Sequence, residues 1–300
     1  MRLLRLLDDP TAAGPDPVLV LALDGWTDAG AAGSSAGELL LDTFEHTPLA
    51  SVDPDALYDY RDRRPSLSID RGRIGDLEWP GLEVDLLRPA SGPPLILVTG
   101  AEPDFRWRAL AEDLVELTQD SGARRYVGLG GVPGPLPHTR PVQLISTSSD
   151  PELLARFGRP HEQVVVPASA QVALEAVLAA AGLTTLGLWA RLPHYVETDY
   201  PAATRALLER FSAFTGTPVD VSSLDAAIAE QREQLDEAAA ASEEITEHVR
   251  SLESMYDAMV ATEAAVGDDD GPFDGLSPEQ VPSGDEIAAE LERFLRGRAD

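Results

Sequence analysis

The chain has 300 residues, 43% of them hydrophobic, and a net charge of −29, because 52 Asp and Glu residues outnumber 23 basic residues. It contains no cysteine and its basic residues are all arginines, which excludes disulfides, thiolate metal sites, Schiff-base lysines and lysine-containing phosphate loops. A field of this sign repels nucleic acid and anionic lipid, so neither nucleic acid nor a membrane is expected as a partner.

The first residues predict a strand or a packed arm. The apolar run Leu3–Leu7 is stopped by Asp8, Asp9 and Pro10 before it reaches the length of a signal-peptide core. No run elsewhere approaches the roughly 20 apolar residues of a membrane span. We therefore expect a protein of the bacterial cytoplasm.

Residues 1–219 alternate short apolar runs with helical patterns, which predicts a core domain of the three-layer α/β/α class with a mainly parallel sheet. The strand candidates, bounded by Gly and Pro, are Val18–Leu23, Leu95–Thr99, Tyr126–Leu129, Val142–Ser146, Val164–Val166 and Leu186–Ala190. The helix candidates are Ala29–Phe44, Pro103–Asp120, Ala168–Ala181 and Pro201–Phe211. Between the first of these helices and the second strand, the stretch Ser51–Leu87 predicts edge strands and a protruding hairpin or loop.

Residues 220–300 are expected to form an acidic, helical C-terminal region. They carry 22 acidic and 5 basic residues, a net charge of −17. An apolar seam at 4-3 spacing from Leu224 to Val266 predicts one long helix, or two helices bent near Ala238–Ser242. Packing within the chain and packing between subunits are both compatible with this seam. Residues 267–277 predict a linker, and a short final helix is expected over Pro278–Gly297.

The loops that follow the predicted parallel strands form the candidate site, because the carboxyl ends of such strands meet at one edge. The catalytic candidates are His138, His194, Asp24 and Glu102, which include acid and base side chains. The ligand-binding candidates are Asp28, Arg106, Arg140, Arg191 and Tyr195. In the alternative interpretation, Asp28 and Asp104 begin helices, and the Pro-His pairs only shape tight loops.

Other site chemistries find little support in the sequence. The five histidines are scattered, and His46, His161 and His248 are expected to be solvated or structural. Ser34 and Ser35 lie inside the helix candidate Ala29–Phe44, so the segment Gly33–Gly37 is not expected to form the strand-to-helix elbow of a nucleophilic serine, and no dinucleotide fingerprint occurs. We predict neither a metal nor another cofactor.

Five segments together resemble the proteasome assembly chaperone 2 family, in its actinobacterial branch. The resemblance covers roughly residues 15 to 215 and rests on Leu23–Gly30, Tyr58–Pro65, Glu102–Trp107, Pro137–Pro141 and Pro193–Tyr195 with Tyr200-Pro201. It implies an α/β/α fold similar to the nucleoside phosphorylases and hydrolases, with a helical C-terminal extension. It also implies self-association and, from eukaryotic and archaeal relatives, binding of proteasome α-subunits. The C-terminal hydrophobic-tyrosine-any-residue motif of those relatives is not matched by Leu295–Asp300.

These observations favour a non-catalytic protein that forms a homo-oligomer, a trimer by analogy, and binds protein partners such as proteasome α-subunits. The alternative is an enzyme of the nucleoside phosphorylase or hydrolase type that acts on a nucleoside-like or anionic ligand at the rim of the sheet. A third interpretation is a structural oligomer in which the rim loops are buried between subunits.

Overall fold

The computed structural model describes residues 2–157 and 165–266. It divides the chain into two compact units, Met1–Glu253 and Ser254–Asp300. The predicted linker 267–277, the predicted final helix and His161 lie outside the described residues. The boundary that composition places near residue 219 stays a prediction.

The first unit contains a mixed sheet of eight strands and a separate two-stranded hairpin. The strands in chain order are β1 (Leu4–Leu6), β2 (Val18–Asp24), β3 (His46–Val52), β4 (Ser66–Asp70), β5 (Arg73–Glu78), β6 (Leu82–Leu87), β7 (Leu95–Ala101), β8 (Arg125–Gly134), β9 (Gln143–Ser148) and β10 (Thr184–Pro193). The helices are α1 (Ala32–Thr43), α2 (Trp107–Ser121), α3 (Pro151–Phe157), α4 (Ala170–Ala180), α5 (Pro201–Thr215), α6 (Asp225–Ala240) and α7 (Glu243–Val266).

The large sheet has the order β1-β3-β6-β7-β2-β8-β10-β9. Its four central strands, β7, β2, β8 and β10, are parallel. On one side β6, β3 and β1, and on the other side β9, are added through antiparallel pairs. The three-layer α/β/α class is therefore confirmed, and its parallel character lies in the centre of the sheet.

The two faces of the sheet bury two separate cores because alternate residues of a strand point in opposite directions. In β2, Val18, Val20 and Ala22 pack with residues of α1 and α5, and Leu19, Leu21 and Leu23 pack with residues of α2 and α4. All six side chains are buried. A strand that is covered on both faces consists of a continuous apolar run, and this run is what predicts β2 from the sequence.

One predicted strand is wrong in its described part. Val165 and Val166 belong to no strand, and their side chains are 96% and 70% exposed. They lie in the connection that leads to α4, and neither residue pairs with a strand of either sheet. An apolar run alone does not make a strand without a neighbouring strand to pair with. Val164 lies outside the described residues.

The other strands and helices predicted within the described residues are confirmed, with ends shifted by up to five residues. The arm at the N-terminus forms β1, paired with β3. Within Ser51–Leu87, β4 and β5 form a hairpin outside the main sheet, and β6 joins the main sheet. Over residues 225–266 the tail forms two helices that meet at Ala241 and Ser242, as the second of the two alternatives predicts.

Candidate functional site

The four catalytic candidates lie at the carboxyl ends of the four parallel strands. Asp24 is the last residue of β2, Glu102 follows β7, His138 comes four residues after β8, and His194 follows β10. The shared strand direction explains why residues so distant in sequence belong to one rim.

Glu102 uses both carboxylate oxygens to hold backbone. Its Oε2 accepts a hydrogen bond from the Trp26 amide (2.6 Å), and its Oε1 accepts one from the Ala170 amide (2.5 Å) at the first residue of α4. A carboxylate at a helix N-terminus is favoured by the helix dipole. A Cβ at Gly25 would overlap the Glu102 side chain, so the close approach requires glycine there. Glu102 therefore joins the loop after β2 to the start of α4.

Asp24 is paired with a residue outside the predicted set. Its Oδ2 accepts a hydrogen bond from Arg63 Nη1 at 2.8 Å, and its carbonyl accepts one from Arg63 Nη2 at 3.4 Å. Arg63 belongs to the Tyr58–Pro65 segment, between β3 and the hairpin. The ion pair connects that segment to the rim.

Asp28 acts as the cap that the alternative interpretation described. Its Oδ1 accepts hydrogen bonds from the amides of Gly33 (2.6 Å) and Ser34 (3.2 Å), and its Oδ2 accepts one from the Ser34 hydroxyl (2.5 Å). These amides lie in the first turn of α1, where donors lack intrahelical partners. Burial raises the pKa of Asp28 to about 6, against the lowering effect of these hydrogen bonds. Asp104 does not cap α2, whose N-cap residue is Arg106; its Oδ2 accepts a hydrogen bond from the Asp59 amide (2.7 Å).

His138 lies buried between a tyrosine and an aspartate. The Asp236 carboxylate can only accept, so the neutral His138 ring carries its proton on Nε2 and donates it to Asp236 Oδ1 at 3.1 Å. Nδ1 then accepts a hydrogen bond from the Tyr195 hydroxyl (2.7 Å), whose oxygen also accepts one from the His138 amide (2.7 Å). Burial lowers the pKa of His138, although the neighbouring Asp236 acts in the opposite direction. Burial disfavours the charged form of Tyr195 as well, and for this acidic hydroxyl it raises the pKa.

The loop that carries His138 also holds the C-terminal helices. Arg232 of α6 donates from Nη1 to the His138 carbonyl (3.1 Å) and from Nε to Asp236 (2.9 Å). Thr139 and Arg140 both donate to Oε1 of Glu253 in α7, at 2.5 and 3.0 Å. A cavity of about 450 Å³ lies beside this loop, with Arg140, Arg205 and Arg232 among its lining residues. Each of these three arginines is paired with a carboxylate.

The remaining candidates have different surroundings. His194 Nδ1 lies 3.3 Å from the Gly134 carbonyl, and its ring contacts the rings of Tyr195 and His248 edge to face. Arg191 donates to Gln143 Oε1 at 3.3 Å. Arg106 is exposed and takes a left-handed backbone conformation (φ 63°) at the start of α2.

The rim therefore contains two sets of interacting residues. One set contains Tyr195, which contacts both His138 and His194. The loop of His138 also carries Arg140, and these two residues bind Asp236 of α6 and Glu253 of α7. The other contains Asp24, which is paired with Arg63, together with Glu102 and Asp28, which accept hydrogen bonds from backbone amides of a neighbouring loop and of helix starts. Neither histidine is hydrogen-bonded to Asp24 or Glu102 in the part of the chain that the structure describes. The catalytic assignment of these residues stays a prediction.

Sequence reasoning missed three partners of the site: Arg63, Asp236 and Glu253. Asp236 and Glu253 lie in the tail, where the sequence pattern indicated only the apolar positions of the seam. The i,i+4 spacing of Arg232 and Asp236 is a signal for an ordered helix surface, although it does not reveal His138 as a partner.

Within residues 2–157 and 165–266, no group of three or more His, Cys, Asp and Glu side chains is arranged to hold a metal ion. Over the same residues, no helix combines the length and the apolar character that crossing a bilayer requires.

Comparison with known proteins identifies the family. The model of the PAC2 family matches residues 22–239, which is well over half of the chain. This chain belongs to the PAC2 family. Among curated proteins, none is similar enough to match it.

Solved structures agree with membership of the PAC2 family. A Mycobacterium tuberculosis protein of unknown function is 34% identical with a TM-score of 0.81, over 88% of this chain and 92% of that one. A Corynebacterium glutamicum protein of unknown function is 30% identical with a TM-score of 0.82, over 87% and 98%. A proteasome-assembly chaperone homologue from M. tuberculosis is 29% identical with a TM-score of 0.72, over 77% and 99%.

Proposed function

We propose that this PAC2 family protein is a non-catalytic, self-associating protein that binds protein partners, with proteasome α-subunits as the first partners to test. Its similarity to a proteasome-assembly chaperone homologue supports this class of function. The observation that carries the proposal is the exposed apolar face of the hairpin formed by β4 and β5.

This hairpin face is made of four aliphatic side chains. Leu67 pairs with Leu77 and Ile69 pairs with Ile74, and members of a cross-strand pair lie on the same face. Leu67 and Ile69 are two residues apart on β4, and a register shift between the two pairs places Ile74 and Leu77, three residues apart on β5, opposite them, so the two pairs share one face. Every residue of both strands is exposed, and Ile69 and Ile74 are 64% and 78% exposed. A two-stranded hairpin is marginally stable alone, and contiguous exposed apolar surface marks interaction sites.

The hydrogen bonds that the rim residues already make within the chain support the non-catalytic part of the proposal. Glu102 and Asp28 direct their oxygens at backbone amides, which stabilises loops and helix starts. Buried His138 bridges Tyr195 and Asp236. These contacts are the ones expected when the same groups position loops and the C-terminal helices for contact with another protein.

Self-association through the hairpin is tested by light scattering after size-exclusion chromatography. The full chain is expected to elute as a homo-oligomer, and Ile69→Asn combined with Ile74→Asn is expected to yield monomer. Leu7→Asn is a matched control, because Leu7 is also exposed (52%) but lies outside the hairpin. An unchanged melting temperature of each variant at low protein concentration shows that the fold is intact. A double variant that keeps the wild-type mass overturns assembly through the hairpin.

Binding of proteasome α-subunits is tested separately by pull-down with the recombinant subunits at several salt concentrations. Retention that weakens as salt rises is expected, because contacts of an acidic surface are screened over about 10 Å at 0.1 M salt. Absence of retention at every salt concentration removes the proteasome version of the proposal and leaves self-association to be judged on its own test.

A further inference from the structure

A second cavity, of about 500 Å³, lies on the rim between the loops that follow β2 and β7. It combines aromatic and acidic side chains. The side chains that bear on the argument are Trp26, Trp107, Asp62, Glu102, Asp104 and Arg63.

Trp26 is held in an exposed position by its own backbone. The Trp26 amide donates to Glu102, which is in turn fixed to the start of α4 through the Ala170 amide. The loop is therefore anchored at the residue that carries the indole, and yet this side chain is 74% exposed. An anchored, exposed tryptophan at the mouth of a cavity provides a flat surface on which a ligand can stack.

The second wall of the cavity is also held in place. Trp107 Nε1 donates to the Pro103 carbonyl at 2.6 Å, which fixes the indole at the first turn of α2. Phe105, which lies between Pro103 and Trp107 in sequence, is 50% exposed.

The charge of the cavity is negative. Three carboxylates, those of Asp62, Glu102 and Asp104, line it together with the guanidinium of Arg63. Arg63 is neutralised by its ion pair with Asp24 (2.8 Å). Asp62 is exposed and forms no ion pair in the part of the chain that the structure describes. The net charge of −29 on the whole chain adds to the attraction for a cation.

We propose that this cavity binds an arginine side chain from a basic segment of a protein partner. The planar guanidinium stacks on the Trp26 indole, which is the aromatic ring that favours cations most, and donates to the Asp62 carboxylate. The proposal rests on the proposed function in one respect, namely that a protein supplies the arginine. Charge complementarity decides the occupant, because an acidic side chain entering the cavity would meet three carboxylates.

The direct test titrates the full chain, labelled with 5-fluorotryptophan, with acetyl-arginine amide and follows the fluorine resonances. The chain has four tryptophans, and the Trp26→Phe variant assigns the resonance of Trp26. Saturable movement of this resonance by acetyl-arginine amide is expected. Acetyl-citrulline amide, which has nearly the same shape without the charge, is expected to leave it in place.

Two substitutions locate the site. Asp62→Asn is expected to weaken the binding of acetyl-arginine amide about threefold to fivefold, as for one exposed charge pair. Trp26→Ala is expected to weaken it to a similar extent, measured by the resonance of Trp107. The controls are Asp76→Asn and Trp79→Ala, since Asp76 and Trp79 are exposed and do not line the cavity. Both controls are expected to bind like the wild type.

Equal movement with acetyl-citrulline amide, or unchanged affinity in Asp62→Asn and Trp26→Ala, overturns the proposal. The failure of this test is distinguishable from failure of the proposed function, because acetyl-arginine amide requires no partner protein. A chain that binds it but neither self-associates nor retains α-subunits disproves the proposed function alone. A chain that assembles but does not respond to arginine disproves the arginine site alone.

Discussion

Glu102 shows how one side chain can define a loop. Both of its oxygens accept backbone hydrogen bonds, from Trp26 and from Ala170, so an acidic residue at a predicted catalytic position also performs a structural task. Hydrogen bonds from backbone amides to a carboxylate are charge-assisted and stronger than neutral ones. The stability of the rim should therefore depend on this charge.

Glu102→Gln is expected to lower the free energy of unfolding by about 1 to 3 kcal/mol. The amide of glutamine keeps one acceptor oxygen but directs a donor at the other backbone amide. Urea denaturation followed by circular dichroism measures the difference. Glu112→Gln, on the exposed side of α2, is the control and is expected to stay close to wild type. An equal loss in both variants would show that the contacts of Glu102 have no special role.

At the scale of the element, the start of α1 depends on a residue four positions before it. Asp28 supplies acceptors to the amides of Gly33 and Ser34 from a buried position. Its pKa rises from 3.8 in the unfolded chain to about 6 in the folded one. The folded protein thus binds more protons than the unfolded chain between these values, and its stability falls as the pH rises through this window.

We expect the free energy of unfolding of the wild type, relative to that of Asp28→Asn, to fall between pH 4 and pH 6 and to level off above. The difference in pKa corresponds to on the order of 3 kcal/mol. Chemical denaturation at a series of pH values measures it. Glu38→Gln on the same helix, where the carboxylate is exposed, serves as the control for the general effect of removing a charge. A constant difference between wild type and Asp28→Asn across the window contradicts the assignment.

The buried strands and helices can be predicted from the sequence, whereas the contacts between them cannot. The strand β2 could be predicted because burial on both faces requires an uninterrupted apolar run. The apolar seam of the tail, by contrast, was compatible with one long helix as well as with the two helices that form. Val165 and Val166 misled the prediction, since apolar composition does not show whether a neighbouring strand is present.

For the site, the sequence located the rim but could not assign its partners. The carboxyl ends of parallel strands place Glu102 and His138 on one edge by topology alone. The contacts of His138 with Asp236 in α6, however, depend on how the tail folds back, and no local pattern encodes this. The assignment of roles therefore needed the three-dimensional arrangement.

At the scale of the whole molecule, charge and apolar surface have opposing effects on assembly. Each copy carries a net charge of −29, so copies repel one another at low salt. The hairpin face proposed to hold them together is apolar, and its contribution is not weakened by screening.

Raising the NaCl concentration from about 0.1 M to 1 M shortens the screening length from about 10 Å to 3 Å. We expect the dissociation constant of self-association to fall over this range, whereas binding of acetyl-arginine amide weakens. Sedimentation equilibrium measures the first quantity, with glycerol at equal osmolality as a control for non-ionic effects. Dissociation of the oligomer at high salt would contradict assembly through the hairpin.

The close contact of Gly25 with Glu102 has a consequence for sequence variation. A side chain at position 25 and the carboxylate at position 102 would occupy the same volume. Because the contact includes the Cβ of residue 102, a larger residue at 25 is compatible with this backbone only when position 102 becomes glycine, and such a paired exchange would release both Trp26 and the first turn of α4. Homologues with a side chain at position 25 should therefore have lost the one at position 102.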